Sequence, residues 1–263
     1  MKRLLTVLAL FSALLATGAE KLRIADATGG EGNAVTALLL KFAAARPGTE
    51  ISYRKLDAES ALEKLDAGDF DVVLVNGGDL PKKHRPAAFR YATGAFIAVV
   101  CIKNPLRGVS LKDLRMLIDV PRPRWELVGG SMAEIHRYGV ADRNGEPVGA
   151  KLLNLEIRAR EMLTFSTMNE AVLLAENDPA ALVWGPYLTE LPITVVALSV
   201  DGVAPTRVNI RNGSYPLCVS RFAVSAAKPG EGAREFLKLL RSAEFAQLVE
   251  DDGEIPELPE VGK

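Results

Sequence analysis

The chain has 263 residues, 48% of them hydrophobic, with a formal net charge of −1. That length supports one large core or two modest ones. With 32 basic against 33 acidic residues, it lacks the basic excess that a nucleic-acid partner requires.

Met1-Lys2-Arg3 is basic, Leu4–Leu15 is apolar, and Thr17, Gly18 and Ala19 are small. The order predicts a signal peptide over residues 1–19, cut after Ala19. The apolar run is about a dozen residues, whereas a membrane span needs ~20. Removing the leader leaves 30 basic and 33 acidic residues. No cysteine lies near the cleavage point, so no lipid anchor is expected, and no later stretch has the length and apolarity of a span.

Lys21–Ala27 reads as a strand. Val35, Leu38, Leu39 and Phe42 recur at helical spacing, and Arg46-Pro47-Gly48 stops that helix. Ile51–Tyr53 is a short strand, Ser60–Ala67 a helix, and Phe70–Val75 a β-branched strand. This alternation argues for a largely parallel sheet covered by helices. Phe96–Ile102 is another apolar run, followed by a helix from about Leu111, a strand Ile135–Val140 and a helix Lys151–Leu163. A helix beginning near Asn169 leads to Ala180–Trp184, and two β-type runs, Ile193–Val200 and Leu217–Val224, flank residues 201–216. A helix pair around Phe236–Ser242 and Phe245–Gln247 closes the chain.

Residues 201–219 carry Asp-Gly-Val-Ala-Pro-Thr, Asn209-Ile210, Gly213 and Tyr215-Pro216-Leu217 between two apolar strands. This pattern resembles the segment with which phosphate-type solute-binding proteins of bacterial ABC transporters cross back between their lobes. Asn104-Pro105, the turn Trp125–Gly130, Asn177-Asp178-Pro179 and Gly253-Glu254-Ile255-Pro256 extend the resemblance over most of the chain. It implies an α/β fold of the two-lobed type 2 periplasmic-binding-protein class. Each lobe would hold a mixed, mostly parallel sheet flanked by helices, and two crossing strands would join them. Residues 20–100 and 216–263 would form lobe 1, and 101–215 lobe 2. The hinge would lie near Ala98–Ile102 and Leu217–Ser220. Cys101 and Cys218 fall in the two crossing strands, where they form either a bridge or two free thiols. A soluble, unanchored binder is expected in a periplasm, as a monomer that hands a small anionic solute to an ABC permease in the inner membrane.

Such a binder holds an oxyanion at the carboxyl ends of parallel strands, against helix amino termini and hydroxyls. Four places match by position. Thr28, Gly29 and Gly30 form the first loop, where Thr28-x-x-Glu31 also reads as a capping box. Ser60 precedes Glu63 at the same spacing, and lies displaced by about two positions from the family's Ser-rich turn, with acidic Asp57 and Glu59 before it. Asn76 and Gly77 close the third strand, and Asn76 replaces the carboxylate that phosphate binders of this kind carry. Arg143 matches the family's anion-gripping arginine, with Asn144 and Gly145 following it as candidates, although Glu146, Pro147 and Val148 replace the family's Ser-Gly-Thr.

Phosphate is the family default, and sulfate, molybdate and tungstate are live options. A binding fold that has lost its small ligand and now serves as a sensor or interaction scaffold is the alternative. His84 and His136 lack metal-ligand spacing, so no metal or cofactor is expected. No Gly-x-Ser-x-Gly elbow or Ser/His/Asp set can be assembled, so an exported hydrolase is the remote alternative.

Overall fold

The computed structural model describes residues 20–29, 33–141, 145, 147–153 and 162–257. The expected signal peptide therefore lies outside the described residues. Among those described, no helix is long and apolar enough to cross a membrane.

The elements in chain order are β1 (Glu20–Ala27), α1 (Asn33–Ala45), β2 (Thr49–Lys55), α2 (Ala58–Asp66), β3 (Val72–Asn76), β4 (Ala88–Cys101), β5 (Gly108–Val109), α3 (Leu111–Asp119), β6 (His136–Val140), β7 (Leu163–Phe165), α4 (Met168–Ala175), β8 (Ala181–Pro186), β9 (Val195–Ala197), β10 (Ser199–Val200), α5 (Arg207–Arg211), β11 (Cys218–Ser225), α6 (Glu231–Leu239), α7 (Ala243–Asp251) and β12 (Ile255–Pro256). The main sheet runs β2-β1-β3-β11-β4-β8-β6-β7, with β9 and β12 also paired to β4. β1 is parallel to both β2 and β3, and β11 runs antiparallel between β3 and β4.

β4 is 14 residues long and serves two sections of this sheet. Its first half pairs with β11, and its second half with β8 and β9. The first section is covered on both faces, which is why Val72–Val75 is uniformly apolar. Leu22, Ile24 and Leu74 face α1, α6 and α7, meeting Leu38, Phe42, Phe236 and Phe245. Ala25, Val73, Val75 and Val224 face α2, meeting Leu62, Leu65 and Phe70. The second section has its own core, in which Ile97–Val100 packs with Leu114, Trp125, Val172 and Trp184. The chain passes between cores along β4 and β11, where Cys218 pairs with Ala95 and Ser220 with Thr93. The crossing on β4 thus lies at Thr93–Phe96, ahead of the expected Ala98–Ile102, because Ala98–Val100 is already locked between β8 and β9.

One open alternative closes and two expectations change. Cys101 and Cys218 are free thiols; Cys101 stands six residues along β4 from Ala95, the partner of Cys218, or about 20 Å at strand rise. The helix expected to reach Leu163 falls largely on residues outside the description, and Leu163 itself opens β7. Ser60 is not a cap: Asp57 caps α2 by accepting from the Ser60 amide.

Candidate functional site

The parallel strands β1 and β3 end side by side, and a polar row crosses their carboxyl ends on the face beneath α1. Asp26 is buried one residue before β1 ends. Its Oδ1 accepts from the Thr28 amide at 2.9 Å and the Thr28 hydroxyl at 2.7 Å, which sets the turn into the first loop. Its Oδ2 accepts from the Tyr53 hydroxyl. Burial, and then that bond to a carboxylate, push the Tyr53 phenol up, so it remains a donor.

Asn76 ends β3 and donates Nδ2 to the Thr28 carbonyl at 2.9 Å. Its Oδ1 accepts from Arg221 Nη1 at 2.5 Å, and the same nitrogen donates to the Thr28 carbonyl at 3.1 Å. A guanidinium has only donors, so Arg221 fixes which end of the amide faces it. Arg221 also donates Nε and Nη2 to Glu254 Oε1, at 3.0 and 2.8 Å. Burial works against the Arg221 charge and the Glu254 carboxylate works for it, and the balance lies above the ordinary arginine range. Arg221 stands directly opposite Asn76 in the antiparallel β11–β3 register, which puts its side chain on the row.

The amino terminus of α1 begins beside this row. Its Ala34 amide donates to Asp252 Oδ2, so a carboxylate of the chain itself already sits on that helix end. In the second section, Ala141, Thr164, Phe165, Ser166 and Glu170 line an open recess of about 370 Å³. It lies at the carboxyl ends of β6 and β7 and the amino end of α4. There Thr167 and Glu170 form a capping box, a second helix start occupied from within. Phe96 stacks on Trp184 with ring centroids 5.8 Å apart, and Gly149 lies against Phe96 at a φ of 75°.

Of the expected site residues, Thr28 and Asn76 meet, with Gly29 and Gly77 beside them. Gly77 also packs tightly on β11, where an added Cβ would lie 3.0 Å from the Phe222 ring. Ser60 makes its amide bond to Asp57 rather than to the row. Gly145 holds a φ of 81° and is exposed. Gly30, Arg143 and Asn144 lie outside the described residues, as does Glu31 of the capping box expected at Thr28. Asp26, Tyr53, Arg221 and Glu254 were not legible as site residues. A single charge inside the apolar run Leu217–Val224 was the available signal for Arg221. His84 and His136 bond Asp66 at 2.9 Å and Asp178 at 2.7 Å. Among the described residues, no group of three or more His, Cys, Asp or Glu could hold a metal.

No protein-family model matches the chain. It is 27% identical over 169 residues to the phosphate-binding protein PstS of Bacillus subtilis, a match covering 62% of this chain and 56% of that protein. The chain thus spans little more than half of that relative. An ABC-type phosphate transport receptor from Vibrio cholerae superposes with a TM-score of 0.71 at 17% identity, covering 90% of this chain and 99% of the receptor. A possible phosphate binding protein from Planctomyces limnophilus gives 0.77 at 19% identity, covering 92% and 94%. The chain has the type 2 periplasmic-binding-protein fold. The resemblance to phosphate-type solute-binding proteins holds both in sequence and in fold. In this fold the order β2-β1-β3-β11-β4, with β11 antiparallel, sets the carboxyl ends of β1 and β3 beside the crossing to the second section.

Proposed function

We propose that the chain is a non-catalytic, monomeric binding protein that captures a small oxyanion between two lobes. One lobe is built on β1–β3 and the other on β6–β9, and Ile97–Val100 goes with the second. The meeting of Thr28 and Asn76 at the carboxyl ends of β1 and β3 carries this reading, because it is where a ligand binds in sheets of this kind. In this reading Arg143, Asn144 and Gly145, which follow Ala141 in the sequence, supply the opposing grip. Phosphate is the first candidate, given the relatives. Export through the leader at residues 1–19 places the protein in the periplasm, where the closed form delivers its cargo to an ABC permease.

A thermal-shift panel of phosphate, sulfate, molybdate and tungstate tests this. A ligand at 100 times its dissociation constant stabilises by about 2.7 kcal/mol. No shift with any anion would sink the reading.

One observation favours a second reading. Asp252 and Glu170 already occupy the amino ends of α1 and α4, so two dipole sites that would draw an oxyanion are filled by the protein. A ligand-divergent member that acts as a sensor or interaction scaffold accounts for that, and it leaves the panel without a response.

A further inference from the structure

The last described stretch of the chain, Glu250–Glu257, touches both cores and the polar row within eight residues. Glu250 pairs with Arg207 of α5. Asp252 accepts from the Ala34 amide at the start of α1. Glu254 accepts from Arg221, and its carboxylate fills the space over Gly94, where an added Cβ would lie 2.8 Å from Oε1. Ile255 packs into the second core and pairs with Thr93 at the crossing. The Glu257 amide donates to the Tyr91 carbonyl at 3.0 Å, and its carboxylate takes two bonds from Arg90. This segment is a third connector beside β4 and β11.

Arg221 joins that connector to the ends of β1 and β3. One side of its guanidinium holds the Thr28 carbonyl and Asn76 Oδ1, and the other holds Glu254. The group is planar and rigid, so displacing Glu254 displaces the donors on Thr28 and Asn76. Its place on β11, opposite Asn76 of β3 and Ala92 of β4, lets one side chain reach both partners.

We infer that Arg221 is a positioning residue of the crevice, which holds Thr28 and Asn76 in place and ties them through Glu254 to the connector between cores. This deepens the proposed binding function and rests on it for its ligand arm alone. The crevice edge and the angle between the sections then move together. A solute that orders Thr28 and Asn76 draws on the same contacts that set the crossing.

The variant Arg221→Met/Glu254→Leu replaces the pair with apolar groups of similar size, a swap that buried pairs often tolerate. Amide hydrogen exchange on the ligand-free protein reads positioning directly. The Thr28 and Ala34 amides should exchange about tenfold faster, while those of β8 keep their wild-type rates. Wild-type exchange at Thr28 and Ala34 overturns the inference. In the second arm, whichever of phosphate, sulfate, molybdate or tungstate shifts the wild type should bind the variant about tenfold more weakly, and wild-type affinity again overturns it. If none of the four binds the wild type, the proposed function fails while the exchange arm still decides this inference. Should the double variant not fold, Glu254→Gln carries the exchange test with the same two outcomes.

Discussion

Asn76 Nδ2 donates to the Thr28 carbonyl at 2.9 Å, so one amide ties the end of β3 to the end of β1. The other end of that amide accepts from Arg221. Both partners are half-buried, and they keep their bond to each other when the amide is removed. Asn76→Ala should therefore destabilise the fold by about 1–3 kcal/mol, the scale of losing one neutral hydrogen bond and one from a charged group with that partial compensation. Urea unfolding measures it as a lower midpoint at unchanged slope. An unchanged midpoint would mean that the row is solvated and that its bonds hold nothing in place.

Asp252 gives a pH-dependent counterpart. Burial pushes its carboxyl above the usual aspartate range, against the bond from the Ala34 amide, which acts the other way. A raised pKa means that the folded state binds the proton more tightly than the unfolded state. The contribution is then fully present below the ordinary aspartate pKa and is lost as pH rises through the folded value. Asp252→Asn keeps an acceptor for Ala34 and removes the charge. Unfolding free energies from pH 4 to 7 should fall less steeply with rising pH in the variant, and its stability at pH 7 should equal or exceed that of the wild type. A steeper fall in the variant contradicts the assignment.

The two thiols make a separate prediction. Cys101 lies in the second core and donates to the Glu176 carbonyl at 3.4 Å. Cys218 is half-buried on β11, and burial pushes its thiol up to about 11. The two lie far apart, Cys101 is buried, and the raised Cys218 thiol stays protonated at neutral pH. Both should resist thiol reagents in the native protein and both should react in denaturant. Intact mass under oxidising conditions should show no loss of two hydrogens, and finding that loss would contradict the strand placement.

Where the fold was legible, the sequence carried a short-range pattern that burial enforces. Val35, Leu38, Leu39 and Phe42 lie on the buried face of α1, and Val72–Val75 reads as a strand covered on both sides. Where a pattern had two local solutions, the reading slipped. Asp57 and Ser60 both stand three residues before a plausible partner, and the chain uses Asp57 as the cap. The run Ile193–Val200 looks like one strand. It divides because Val195–Ala197 pairs with β4 and Ser199–Val200 with β5, a choice set by distant partners. The polar row draws on Asp26, Tyr53, Asn76, Arg221 and Glu254, five places brought together only by the sheet order. No window of sequence contains that relation.

Arg143 carries the last prediction, since it is the side chain that the family pattern assigns to the anion. A guanidinium gripping an oxyanion forms two parallel charge-assisted bonds, roughly twice as strong as neutral ones. Removing one costs about 1.5–3 kcal/mol of binding, on the scale of hydrogen bonds to charged groups. Arg143→Ala should thus weaken oxyanion affinity by at least about tenfold and lose most of the ligand-induced rise in melting temperature. The melting temperature without ligand should stay close to that of the wild type, because Val148 and Gly149, further along the chain, make their own contacts with Trp184 and Phe96. Titration calorimetry with the anion that shifts the wild type separates the outcomes. Full affinity in the variant places Arg143 outside the crevice and leaves Thr28, Asn76 and the donors of the first loop as the grip. A loss of stability without ligand would instead make Arg143 part of the packing around Ala141.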